Sequence, residues 1–330
     1  MQGLLADFRE AGVSHVAMEV SSHALEQGRV AAVAFEIAAF TNLTRDHLDY
    51  HGSMEAYGEA KAKLFAWPSL KAAAINIDDA FGRTLVDRLP AGTRALCLSA
   101  EGHAAADVRA VDVATSAEGL SFQLQTPWGT QAIQSRLLGR FNVANLLAVV
   151  ACLGALGESF EHMVGAIEAL QPINGRMNRL GGVEGLPLVV VDYAHTPDAL
   201  EHALTALRAH CEGRLICVFG CGGERDAGKR PEMGAIAERL ADQIIITDDN
   251  PRGEDGDVIV AQIVAGLRQP ATATVERDRA VAIDRALALA VAGDVVLIAG
   301  KGHETYQEGA AGKRPFDDLA VARHVLEGRA

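Results

Sequence analysis

Cysteine is scarce in this 330-residue chain, and its few cysteines do not pair. Cys97, Cys152, Cys211, Cys217 and Cys221 are odd in number and form no CxxC motif. This pattern argues against a disulfide frame or a structural zinc site, and for reduced thiols. Long apolar runs are missing as well, because Gly, Asp or Asn interrupts each one before it reaches bilayer length. No cationic-then-apolar leader opens the sequence. From these features we expect a cytoplasmic protein with no membrane insertion. Positive charge is short too, the formal net charge being −13. So acidic a chain does not bind nucleic acid or anionic membrane through bulk electrostatics. A phosphate ligand would need local positive charge, from particular Lys and Arg side chains, a metal ion or helix N-termini.

What is present reads as an ordinary globular protein, 49% hydrophobic and 22% charged, long enough for two cores. Residues 1–12 have helical spacing, with Leu4, Leu5, Phe8 and Ala11 on one side. Residues 15–20 read as a buried strand, followed by strands at 36–40, 71–77 and 94–98. Helices are expected at 78–89, from a start within 139–145 to about 156, and at 159–170. Residues 119–125 and 131–138 flank Pro127, Trp128 and Gly129, which predicts a hairpin. Residues 171–185 are rich in Gly and Pro and lack periodicity, which places a domain boundary near 173–175. Beyond it, strands at 188–191, 215–219, 243–247, 273–275 and 295–299 alternate with helices at 197–210, 231–240, 258–267, 279–290 and 319–326. That alternation predicts a parallel sheet covered on both faces.

Chemistry-bearing residues gather in a few places. Residues 18–25, MEVSSHAL, put Glu19 at a strand end beside Ser21 and Ser22, a set suited to magnesium or to helix capping. Residues 41–65, TNLTRDHLDYHGSMEAYGEAKAKLF, place Asp46, His47, Asp49 and His51 in one polar loop. A helical run follows, carrying Tyr57 and Lys61. Residues 139–145, GRFNVAN, open another helix; Asn142 can cap it, whereas Asn145 sits inside it as a poor helix former. Four polar clusters then each follow an expected strand: DYAHTP (192–197), GCGGERD (220–226), DDNPR (248–252) and GKGHE (300–304). Each alone is acceptable turn chemistry. Together they lie on the carboxyl edge of one parallel sheet, where open α/β folds bind ligands.

Taken in order, these motifs resemble those of the Mur ligases, which build the peptide of bacterial cell-wall precursors, and most closely the branch that adds meso-diaminopimelate. The resemblance covers nearly the whole chain. It implies a partial P-loop-type central ATPase domain over residues 1–174 and a Rossmann-like, doubly wound C-terminal domain over 175–330. The implied reaction is ATP-dependent amide formation, with ATP, a UDP-N-acetylmuramoyl-dipeptide and meso-diaminopimelate as substrates and magnesium (Mg2+) as cofactor, in a protein expected to be monomeric. Glu19, His47 and Lys61 would be the catalytic and metal-binding residues, Lys61 as an N6-carboxylated lysine. Ser21, Gln27 and Arg29 would meet the UDP-sugar. Asn142, Asn145, Arg176, Asp192 and His195 would face the nucleotide. Arg225, Asp249, Asn250, Pro251, Arg252, Gly300 and Glu304 would hold diaminopimelate, with Arg252 forking onto its second carboxylate and Glu304 taking its distal ammonium.

One part of the family pattern is missing. No GxxGK[ST] run occurs, since the GK pairs at 228–229, 300–301 and 312–313 are followed by Arg, Gly and Arg. We therefore expect a ligase fragment with little or no turnover alone, and a remnant that binds an amino acid or a partner stands as the alternative. Arg252 speaks against a lysine-adding sibling, and GCGGER is not the GxGxxG of a dinucleotide-binding oxidoreductase.

Overall fold

The computed structural model describes residues 2–44, 46–183 and 185–328 and is a mixed α/β fold built on two six-stranded sheets. The first half runs α1 (Gln2–Glu10), α2 (Ser22–Glu26), β1 (Ile37–Phe40), α3 (Leu48–His51), α4 (Met54–Ala62), β2 (Ala72–Asn76), α5 (Ala80–Val86), β3 (Arg94–Ser99), β4 (Val108–Ser116), β5 (Gly119–Thr126), β6 (Gly129–Ser135), α6 (Phe141–Ala155) and α7 (Phe160–Glu168). Its strands lie in sequence order, with β1 to β4 parallel and β4, β5 and β6 antiparallel. All five residues of β2 are buried, which is why the strand is apolar without alternation. The apolar helix α6 covers one face through Val143, Leu146, Leu147 and Val150, against Leu96, Leu98 and Leu124. Phe40, Phe65, Ile75 and Leu85 fill the other face. Side-chain caps fix the short helices: Ser53 accepts from the Ala56 amide, and Asp79 from the Phe81 and Gly82 amides.

The second half runs β7 (Asn178–Gly181), β8 (Leu188–Asp192), α8 (Pro197–Arg208), β9 (Leu215–Phe219), α9 (Lys229–Leu240), β10 (Gln243–Ile246), α10 (Gly256–Val264), β11 (Ala273–Val275), α11 (Arg279–Leu289), β12 (Val295–Ala299), β13 (Tyr306–Gly309), β14 (Gly312–Pro315) and α12 (Asp318–Glu327). Strand order is β11-β10-β9-β12-β8-β7, all parallel except β7. Strands β8, β9 and β12 are buried along their whole length. Helices α8, α9 and α10 cover one face and α11 and α12 the other, so the sheet is doubly wound.

Expectation and structure part at particular places. Residues 15–20 are not a strand: they are irregular and mostly exposed, and among the described residues no neighbour pairs with them. An apolar run without a partner ladder has no means of satisfying its backbone as a strand. The helix expected at 78–89 starts only at Ala80, because Asp79 is its cap. Asn142 does not cap α6: it lies inside the first turn, and its amide donates to the Leu138 carbonyl at 2.7 Å. Strands β4, β7, β13 and β14 were not anticipated.

His210 and Arg179 tie the two halves together. The buried His210 ring accepts the Gly139 N–H at Nε2 (2.8 Å) and donates from Nδ1 to the Ser116 carbonyl (2.7 Å). Arg179 donates to the Ala117 carbonyl at 2.7 Å and to that of Glu118.

Candidate active site

The four polar clusters of the second half leave the carboxyl ends of β8, β9, β10 and β12, as the sequence pattern implied. Because the β10 and β12 clusters are both loops on that edge, they meet. Asn250 donates from Nδ2 to Glu304 Oε2 at 2.8 Å, and its Oδ1 accepts the Lys301 ammonium at 3.0 Å and the Glu308 amide at 2.9 Å. Lys301 also donates to Glu304 Oε2 at 3.0 Å. Gly300, at φ 119°, leaves room that a side chain would take: a Cβ there would lie 2.7 Å from Asp249 Oδ2. Arg252 adopts φ 53°, a strained conformation for a side chain this large. It is held there by its own amide on the Glu308 carbonyl (2.9 Å), by Nη1 on the Gly223 carbonyl (2.8 Å) and by Nε 3.5 Å from Glu308 Oε2. A Cβ on Gly222 would lie 3.0 Å from Arg252 Nη1 and 3.6 Å from Arg225 Cγ, so the two arginines flank one glycine. Pro251 offers its carbonyl to the Glu254 amide. The sheet edge thus brings together Arg225, Asp249, Asn250, Arg252, Gly300 and Glu304.

Electrostatics distinguish the three acids here. Burial raises the Asp249 carboxyl above its ordinary range, and Arg279 and Lys301 offset part of that. Burial also pushes Glu304 up, but hydrogen bonds from Asn250 and Lys301 and the charges of Lys301 and Arg252 outweigh it, leaving a net downward shift. Asp248 is held by Arg277 through a two-point contact, Nε to Oδ1 and Nη2 to Oδ2.

A second group forms at the hinge between the sheets. Asp192 accepts the Met177 amide at 2.8 Å and the Ala194 amide at 2.9 Å, so both carboxylate oxygens are engaged by backbone. The Arg176 guanidinium lies 5.6 Å from the Tyr193 ring centre, with His195 at 4.5 Å and His303 at 5.0 Å from the same ring. Lys229 donates to the His195 carbonyl at 2.7 Å. Gly175 packs against His303, where a Cβ would collide with its backbone.

The third group lies in the first half. His47, at φ 52°, precedes α3, and its ring stands 4.9 Å from His23 and 5.9 Å from Tyr57. His51 stacks on Tyr57 at 5.2 Å and bonds Ser22 through Nε2 at 2.9 Å. Lys61 Nζ sits 4.9 Å over that same Tyr57 ring, so His47 and Lys61 share one aromatic neighbour. Ser21, not Ser22, is the capping serine, accepting the Ala24 amide at 3.2 Å. Gln27 donates to Tyr50 Oη at 3.2 Å, and Arg29 is exposed. Glu19 is exposed, and among the described residues no hydrogen bond or ion pair joins it to His47 or Lys61. In α6, Asn145 donates to Asn142 Oδ1 at 2.9 Å and is exposed. Sequence reasoning overlooked His23, Tyr193, Lys229 and Lys301. His23, Tyr193 and Lys301 lie inside the quoted motifs and Lys229 just beyond one, but the burial that singles out Lys301 has no sequence signature.

Two α/β halves, with a charge-dense sheet edge on the second and a histidine–lysine cluster on the first, define a two-lobed α/β protein. Comparison with known proteins gives the family. Residues 1–153 match the Mur ligase middle domain and residues 175–302 the Mur ligase, glutamate ligase domain. The UDP-N-acetylmuramoyl-L-alanyl-D-glutamate--2,6-diaminopimelate ligase of Xanthomonas campestris pv. campestris (strain 8004) is 60% identical over 322 residues, which cover 98% of this chain and 65% of the relative. That of Chromobacterium violaceum is 54% identical over 329 residues, covering 99% and 66%. A solved structure of a UDP-N-acetylmuramoyl-L-alanyl-D-glutamate--2,6-diaminopimelate ligase superposes with a TM-score of 0.79 at 41% identity, covering 99% of this chain and 67% of that one. The chain belongs to the Mur ligase family. It spans about 65% of the length of the curated relatives it matches. Among the described residues no helix is long and apolar enough to cross a membrane.

Proposed function

We propose that this chain carries the ligand-binding and catalytic surfaces of a ligase that joins meso-diaminopimelate to UDP-N-acetylmuramoyl-L-alanyl-D-glutamate in the cytoplasm. The reading divides the chain into a central domain, residues 1–174, and an amino-acid-binding domain, residues 175–330, acting as a monomer. The reaction would be ATP-dependent amide formation. The dipeptide carboxylate attacks the γ-phosphate of ATP and ADP departs; the amine of diaminopimelate then displaces phosphate from the acyl phosphate. Water would destroy that intermediate, so the two lobes must exclude it.

The observation that carries the reading is the meeting of Arg225, Arg252, Asn250, Gly300 and Glu304 on one sheet edge. Diaminopimelate presents two carboxylates and two ammonium groups. Two arginines beside one glycine supply the N–H forks that carboxylates take, and an ionised Glu304 supplies a partner for an ammonium. Arg176, Asp192 and His195 at the hinge, with Asn142 and Asn145 on α6, are the nucleotide-facing set in this reading. Ser21, Gln27 and Arg29 are the UDP-sugar set.

Fit to magnesium depends on Lys61. As an amine it lies over Tyr57 as a cation, which repels a metal ion. Loss of a proton to give the neutral amine, formation of an N–C bond to carbon dioxide and release of a second proton would turn it into an anionic carbamate oxygen donor, matching the hard ligands magnesium takes. Glu19, His47 and carbamylated Lys61 would then hold the ion, which when bound neutralises phosphate charge.

Isothermal titration of meso-diaminopimelate and of L-lysine against the chain, with and without ATP, tests the assignment. We expect diaminopimelate to bind more tightly than lysine, and Arg252→Ala to abolish most of that preference while leaving ATP affinity within about twofold, since the guanidinium reads the second carboxylate. Equal affinity for the two amino acids would remove diaminopimelate as the substrate.

A further inference from the structure

Lys301 is a fully buried cation at the site, with 0% of its side chain exposed. Its ammonium has three acceptors: Asn250 Oδ1 at 3.0 Å, Glu304 Oε2 at 3.0 Å and, as an ion pair, Asp249 Oδ1 at 3.8 Å. The first and third belong to the loop after β10, the second to the loop after β12. One side chain therefore ties the two loops together. The chemistry also fixes the orientation of Asn250. Lys301 only donates and Glu304, ionised, only accepts, so the amide oxygen must face the lysine and the amide nitrogen the glutamate.

The consequence concerns the two oxygens of Glu304. Asn250 and Lys301 both donate to Oε2. Oε1 accepts no hydrogen bond among the described residues, while the side chain keeps 19% of its surface exposed. Asn250 itself is 3% exposed and its oxygen is already taken by Lys301 and the Glu308 amide. The framework thus leaves one oriented carboxylate oxygen facing outward.

We propose that Lys301 is a positioning residue for amine recognition: with Asn250 it holds Glu304 by Oε2 and presents Oε1 to an ammonium group of the incoming amino acid. Asn250 then serves as part of this support rather than as a substrate contact through its oxygen. The proposal rests on the functional reading above for the identity of the amine, but the geometry it claims is a property of the free protein.

Two measurements test it. The first is a double-mutant cycle on diaminopimelate affinity by isothermal titration, with thermal unfolding as the check on folding. Lys301→Met should weaken binding about tenfold or more, the size of a lost charge-assisted hydrogen-bond partner. In a Glu304→Gln background the same substitution should cost less than about twofold, because the carboxylate it positions is gone. Equal losses in both backgrounds would mean that Lys301 supports the fold generally, and would overturn the proposal. The second needs neither a variant nor a ligand. Carbon-13 detected titration of Glu304 in the unmodified chain should place its carboxyl below the ordinary glutamate range. Titration at or above that range would overturn the proposal even if Lys301→Met does not fold. Failure of the unmodified chain to bind diaminopimelate, with Glu304 titrating low, would sink the functional reading while leaving the Lys301 support standing.

Discussion

Arg279 and Asp318 show what a single buried pair does for the second lobe. Both side chains have 0% exposure, and the guanidinium meets the carboxylate twice, Nε to Oδ1 at 2.7 Å and Nη2 to Oδ2 at 2.8 Å. Arg279 also donates to the Ala299 carbonyl, the last residue of β12 before the Gly300 loop. The pair therefore anchors α11 and α12 to the strand end that carries the site. Removing one partner strands a charge in the interior. Asp318→Ala should destabilise the lobe by about 3–5 kcal/mol, measured by urea denaturation. A loss under about 1 kcal/mol would show that water reaches the site and that the burial is less complete than the geometry states.

At the scale of elements, close approach is bought with glycine at Gly234 in α9, where a Cβ would collide with the Ile263 carbonyl of α10. Gly234→Ala gains helix propensity but forces the helices apart. The net effect should be a loss of about 1–3 kcal/mol, visible as a lower melting temperature. A gain in stability would mean that α9 and α10 slide without cost. The same scale explains what the sequence reveals. Strands β8, β9 and β12 were legible because each is a short, fully apolar run between polar clusters, the pattern of a strand buried on both faces. Strand β4 was not, because Asp112, at φ 54° within the register shift between Val111 and Ala114, breaks the alternation. Strands β13 and β14 carry polar residues and exposed positions, so no apolar pattern marks them. Residues 15–20 show the reverse error: an apolar run is evidence for a strand only where another strand is available to pair with it. Within the site, the arginines and glutamate were readable from motif order. The role of Lys301 was not, because burial of a cation is decided by residues from two distant loops.

At the scale of the whole molecule, His210 links the lobes as a neutral ring, accepting from Gly139 and donating to Ser116. Burial lowers its pKa from the ordinary 6.5, with the nearby Arg179 charge adding to that and the Ser116 bond opposing it. The unfolded chain thus takes up a proton at a higher pH than the folded one. Stability from this group is complete above pH 6.5 and falls as the pH drops below it. Protonation would also remove the acceptor that Gly139 uses. Denaturation midpoints measured from pH 7.5 down to about pH 5 should decline in the unmodified chain and flatten in His210→Gln. An unchanged decline in the variant would assign the effect to other groups.

The scarce cysteines acquire a use once the fold is known. Cys217 lies within β9 and Cys221 just past its end, and burial pushes both thiols up to about 12. At neutral pH neither offers a thiolate to an alkylating reagent while the sheet is closed. Their modification must wait for the central strand of the second lobe to open, so the labelling rate at these two positions is a clock for that opening, wound by the molecule itself.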